Sequence, residues 1–192
     1  NDDVGENNNF NDLLIRDFIP RILQILNEQD PLFVAFGLNL MSQIAISAKS
    51  ILSPEILSIP IQKSLFFIEQ KNGLTVPSIV FLDSLINNHQ ISEDMARQLI
   101  CLAEAQISSL DCSIADQKCL SEYFITLLTI LDLHANNLID DQKKKIILSN
   151  LPIVFSKLFN NKYIYLFLLK HFNDSQDLQF DIMKNIVIVF ES

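Results

Sequence analysis

The chain has 192 residues, 49% of them apolar, with 23 acidic side chains against 14 Lys and Arg and a formal net charge of -9. That much apolar material can build a core, whereas acidity spread along the chain without clustered Lys and Arg argues against nucleic acid as the main ligand. Only 3 glycines are present, which fits helices joined by short turns better than a β-rich or dinucleotide-binding fold.

Residues 1–9, NDDVGENNN, have Val4 as their sole hydrophobic anchor, so a flexible N-terminal segment is expected before a helical domain over 10–192. NFNDLLIRDF supplies a short first helix through Leu13, Leu14, Ile15 and Phe18. Pro20 then stands where a second helix starts, since a first-turn proline gives up an N–H that has no intrahelical partner. Asn27 to Asp30 is a polar turn, and Asp30-Pro31 supplies a capping oxygen and a first-turn proline for a longer helix. Val34, Leu38, Met41 and Ala45 recur along it at helical spacing, with Phe33, Gly37, Leu40 and Ile44 widening the apolar face.

The same plan recurs. Ser53-Pro54 opens a short helix, Ile59-Pro60 the next, Asn72-Gly73 is a stop signal, and Thr75-Val76-Pro77 leads into a long helix striped by Ile79, Leu82, Leu85 and Ile86. Pro20 and Pro60 stand 40 residues apart, near the period of helical repeat arrays. A third unit starts at Ser92, with Met95, Leu99, Leu102 and Ala103 on one face, and has no proline to split its first helices. Ser113 to Asp116 has capping-box spacing ahead of the longest helix, through Leu120, Phe124, Leu127, Leu128 and Leu131. In a fourth unit DQKKKIILSN opens the first helix, Leu151-Pro152 repeats the proline device, Asn160-Asn161 turns the chain, and KYIYLFLLKHF is the long helix. Residues 177–190 open a partial fifth unit whose apolar positions Leu178, Ile182, Ile186 and Val189 are expected to lack cover, leaving a C-terminal edge able to self-associate. The start without Met and the end within an apolar helical pattern suggest a piece of a longer protein.

Chemistry-bearing patterns are sparse. There is no Gly-rich phosphate loop, HExxH, C-x-x-C or G-x-S-x-G motif, so neither catalysis, a metal nor a cofactor is indicated. Cys101, Cys112 and Cys119 are odd in number and lack disulfide spacing, and no apolar run reaches the ~18 residues of a membrane span. An intracellular setting, cytoplasmic or nuclear, is expected. Cys101 reads as a small buried apolar residue. His89, His134 and His171 each fall near the end of a long helix, where a positive ring favours the negative helix terminus. Lys143, Lys144 and Lys145 beside Asp140 and Asp141 read as a solvated face, and Tyr163, Tyr165, Phe167 and Phe172 as core and groove lining.

The order short helix, proline-started helix, polar turn, long helix, with FIPRILQIL followed by DPLFVAFGLNLMSQIA, resembles an armadillo repeat or its HEAT-like relative. The resemblance implies an all-α, right-handed α-solenoid of about four units plus a partial fifth, whose long helices line a concave groove that holds an extended segment of another protein. It extends distantly to nuclear-import adaptors of the importin-alpha type, whose third helices carry a motif like W-A-L-S-N-I-A. The matching stretch here is Asn39 to Ala45; Asn39 and Gln43 occupy the Trp and Asn slots, Val80 and Ser84 do so in the second unit, and Phe167 and His171 in the fourth.

A ligand-facing row of Asn39, Gln43, Ser84, Asn88, Thr126 and His171 is expected, able to hydrogen-bond the backbone of another protein's extended segment, and the net acidity is permissive toward a basic partner. The expected role is a non-enzymatic protein-interaction scaffold. Two alternatives stand beside it: an import adaptor for basic targeting peptides, and a helical regulatory or oligomerisation segment of a larger enzyme.

Overall fold

The structure is a computed structural model that describes residues 11–88, 90–111, 113–134, 138–154 and 162–191. Among these residues it is all-helical, with nine α-helices and no strand. The chain divides into two compact units, residues 1–90 and 91–192. The expected loose segment 1–9, the Asn160-Asn161 turn, His89 and Cys112 lie outside the described residues.

In the first unit, α1 (Ile19–Ile25) carries Pro20 in its first turn but does not begin a separate helix. It continues directly from a π-turn, Leu14–Phe18, in which the Ile19 N–H donates to the Leu14 carbonyl. Proline has no N–H for the Arg16 carbonyl and its ring crowds that group; one wider turn relieves the crowding and keeps the helix running. Asp30 then caps α2 (Pro31–Ser47), its Oδ1 accepting from Leu32 N–H at 2.8 Å. Val34, Leu38, Met41 and Ala45 are buried as their spacing requires, whereas Phe33 is exposed. A short 3-10 turn, Lys49–Ile51, leads to Ser53, which caps α3 (Pro54–Glu69).

Pro60 lies inside α3, not at a helix start, and Pro152 likewise lies inside α7 (Asp141–Val154). The expected break is therefore absent at both prolines: α3 runs on to Glu69 and α7 to Val154, where the described stretch ends. The lost hydrogen bond is tolerated because the rest of the helix remains anchored: Leu57, Ile61 and Ile68 are buried on α3, and Ile147, Leu148 and Leu151 on α7. Each such side chain contributes roughly 1.5–3 kcal/mol on burial, against ~3 kcal/mol for an interior proline.

The turn after α3 falls where expected, but its left-handed residue is Lys71, at φ 49°, and not Gly73. Asn72 Oδ1 accepts from Leu74 N–H, and the Thr75 hydroxyl donates to the Phe67 carbonyl, closing the turn onto α4 (Thr75–Asn87). α4 packs on both α3 and α2, burying Ile79, Leu82, Leu85 and Ile86.

The second unit contains α5 (Glu93–Ser108), α6 (Ala115–His134), α7, α8 (Lys162–His171) and α9 (Gln176–Glu191). Ser92 caps α5, accepting from Met95 N–H. Ser113 does not act as the expected cap: its hydroxyl donates to Asp111 Oδ1 at 2.7 Å, while Gln117 Oε1 accepts from Asp111 N–H. α6 is the longest helix and packs against α5, α7 and α8. Contact on three sides explains its nearly unbroken apolar run, with Phe124, Ile125, Leu127, Leu128, Ile130 and Leu131 all buried.

α9 packs on α7 and touches α8. Leu178 and Ile182 are buried there, so the face expected to lack cover is the packed one; Phe180, Met183, Val187 and Ile188 are exposed instead. No helix among the described residues is long and apolar enough to cross a membrane.

Candidate functional site

The six polar residues expected to form one row do not share an environment. Asn39 and Gln43 stand exposed on α2, and neither amide has a hydrogen bond within the described residues. Ser84 is buried and its hydroxyl donates to the Val80 carbonyl; the Asn88 amide donates to the Ser84 carbonyl. Thr126 donates to the Glu122 carbonyl. Small polar side chains on helices find the carbonyl one turn back, and this explains the inward turn of these three.

Around Asn39 and Gln43 the outer face of α2 forms a seam. Leu32, Phe36, Asn39, Gln43 and Ile46 follow each other at alternating steps of four and three residues, the spacing that keeps side chains in line along a helix. Leu32 is 79% exposed, and Phe36 and Ile46 are each 55% exposed. Two free amides thus sit between apolar groups, on the side opposite Leu38 and Met41.

His171, the sixth residue, is with Asp132 the buried centre of a polar network that reaches solvent through Lys170, Asp174 and Asp141. Its Nε2 lies 2.6 Å from Asp132 Oδ2, and its Nδ1 meets Asp174 Oδ2. Lys170 Nζ donates to both the side chain and the carbonyl of Asp132, at 3.0 and 2.6 Å. Lys144 Nζ donates to Asp174 Oδ2 at 2.9 Å and pairs with Asp141. Ionised carboxylates only accept hydrogen bonds, so both ring contacts are satisfied together when the imidazole donates from both nitrogens. Lys170 and Lys144 supply positive charge against Asp132 and Asp174, and the buried Asp132 carboxylate has the compensation that burial requires. Phe167 packs against the imidazole, ring centroids 4.9 Å apart.

Burial works to raise the Asp174 carboxyl, but hydrogen bonds from His171 and Lys144 outweigh it and hold the group below its ordinary range. Burial likewise works to lower Lys144, and Asp174 and Asp141 outweigh it. Lys143 reaches Asp140 and, at 3.8 Å, Glu104 on α5. The lysine run is therefore not simply a solvated face: Lys143 and Lys144 tie α7 to α5 and to the link between α8 and α9, and Lys145 alone is exposed. With both ring nitrogens engaged, His171 serves packing of α6 against α8.

Among the described residues, no three or more His, Cys, Asp or Glu side chains are grouped to hold a metal ion. Cys101, expected buried, is exposed, because α5 turns Leu99, Ile100 and Ala103 inward. Tyr165 is also exposed, at 60%, while Phe167 fills the core. Comparison with protein-family models, curated proteins and solved structures returns no match.

Proposed function

We propose that the chain is a non-enzymatic interaction module of the α-solenoid kind, which binds an extended segment of another protein along the exposed seam of α2. The observation that carries this reading is the pair of free amides, Asn39 and Gln43, flanked by exposed Leu32, Phe36 and Ile46 on a helix whose other side is packed. From Phe36 to Ile46 the seam runs about 15 Å, at 1.5 Å per residue, enough for four or five residues of extended chain. The amides would bond the segment's backbone, and the apolar groups would take its side chains.

The repeat reading is supported by packing within each unit. α4 lies on α2 and α8 lies on α6, each long helix against the next but one, while α9 lies on α7 in the same way. First helices that stay continuous through Pro60 and Pro152 favour the two-helix, HEAT-like form of the repeat over the three-helix armadillo form. Selection of displayed peptides on the protein, with counter-selection on a Phe36→Asp variant, tests the function. Enrichment of peptides that bind the native protein only is expected; enrichment of Lys- and Arg-rich sequences among them would favour the import-adaptor alternative. Equal recovery on both proteins would remove the α2 seam as the binding surface.

A further inference from the structure

The exposed face of α9 repeats the seam pattern with a different filling. Asp177, Phe180, Lys184 and Val187 follow each other at steps of three, four and three residues, the a/d spacing of a coiled coil. Phe180 is 69% exposed, Met183 beside it 49% and Val187 48%, while the opposite side of the helix, Leu178 and Ile182, is buried in the second unit. Asp177 and Lys184 are both exposed, and neither pairs with another charge among the described residues.

We propose that α9 is a self-association surface and that its occupant is α9 of a second copy of this chain, docked antiparallel about a two-fold axis beside Phe180. The arrangement of charge selects this occupant. Asp177 and Lys184 lie one on each side of Phe180 and seven residues apart, so the antiparallel register that sets Asp177 of each copy level with Lys184 of the other also brings the two Phe180 rings together at the axis. Two ion pairs and one aromatic pair form at once. A parallel alignment would place Asp177 against Asp177 and Lys184 against Lys184, which like-charge repulsion disfavours. Met183 and Val187 flank the central rings and close the sides of the contact. Self-pairing also covers an apolar helix face that solvent otherwise meets.

Sedimentation equilibrium of the full chain across a concentration series tests the proposal, with far-UV circular dichroism to confirm folding. The native protein is expected to reach a dimer mass and no larger species, with a dissociation constant in the roughly micromolar range. Phe180→Asp should weaken association by at least about a hundredfold, since a buried anchor becomes a charge in each copy. Asp177→Lys and Lys184→Asp should each weaken it by about tenfold, and the double variant D177K/K184D should return to within about threefold of the native value. All three positions used are exposed, so the fold does not depend on them. A native protein that stays monomeric to about 0.5 mM, growth beyond the dimer, or a double variant as weak as its single parents would each overturn the proposal.

Discussion

His171 on α8 and Asp132 on α6 meet at 2.6 Å across 39 residues of sequence, both side chains almost wholly buried. They form a polar contact within the second unit's core, where Asp132 also takes Lys170. Removing one partner leaves the other uncompensated, so Asp132→Ala and His171→Ala should each cost about 3–5 kcal/mol. The double variant should cost less than the sum, because the two side chains act as one unit. Urea unfolding of the three variants and the parent gives the coupling; strict additivity would mean that the pair makes no shared contribution.

The same network gives the second unit a defined response to acid and base. Asp174 is held below its ordinary value of about 3.8, so its contribution to stability is complete above that value and disappears as pH falls through the lower folded value. Lys144 is held above 10.5, so its contribution is complete below 10.5 and disappears as pH rises through the higher folded value. Asp174→Asn should therefore lower stability at neutral pH and flatten the acid limb of a stability–pH curve. An acid limb of unchanged steepness in that variant would place the sensitivity elsewhere.

The closeness of α1 and α2 depends on Gly37. A Cβ there would lie 3.0 Å from Leu26 Cδ2 and 3.2 Å from Ile25 Cγ2. Gly37→Leu should cost about 3 kcal/mol through overpacking, whereas Gly37→Ala asks a small shift of the flexible Leu26 end and of the stiffer, β-branched Ile25, and gains helix propensity. Thermal unfolding of both variants tests this; a Leu variant as stable as the parent would mean that the two helices can separate freely.

Helix existence and the buried stripes were legible in the sequence because hydrophobic spacing reports both directly. Leu38 and Leu128 were placed in the core by that spacing alone, and both are fully buried. Truncating either to Ala should cost about 2–5 kcal/mol, read from denaturant midpoints. What spacing could not convey was backbone continuity: proline at positions 20, 60 and 152 signals a missing N–H, but whether the chain breaks or runs on is decided by the packing on either side. Nor could it tell which polar side chains turn back on their own helix, as Ser84 and Thr126 do.

The ionic network left one clue in the sequence. Asp132 is an isolated carboxylate within the apolar run ITLLTILDL, and a charge in such a run requires a partner. That partner, His171, lay 39 residues on, beyond any local rule. The exposed seams of α2 and α9 were missed for the opposite reason. On α2 the apolar face was drawn through Phe33, which is exposed, while Leu32, Phe36 and Ile46 went unremarked. On α9 the uncovered edge was placed on Leu178 and Ile182, the side that packs, and Phe180 on the open side was passed over, because spacing finds a stripe but not which side of the helix has a neighbour.

The most direct test of the central claim is calorimetric titration of a selected peptide into the native protein and into N39A/Q43A. Both replaced residues are exposed, so thermal unfolding should shift by no more than about 0.5 kcal/mol. The α2 reading predicts micromolar or tighter binding to the native protein, persisting when ionic strength is raised several-fold, and a loss of about tenfold or more in the variant as two hydrogen bonds disappear. Equal affinity for both proteins, or binding abolished by salt alone, would contradict it.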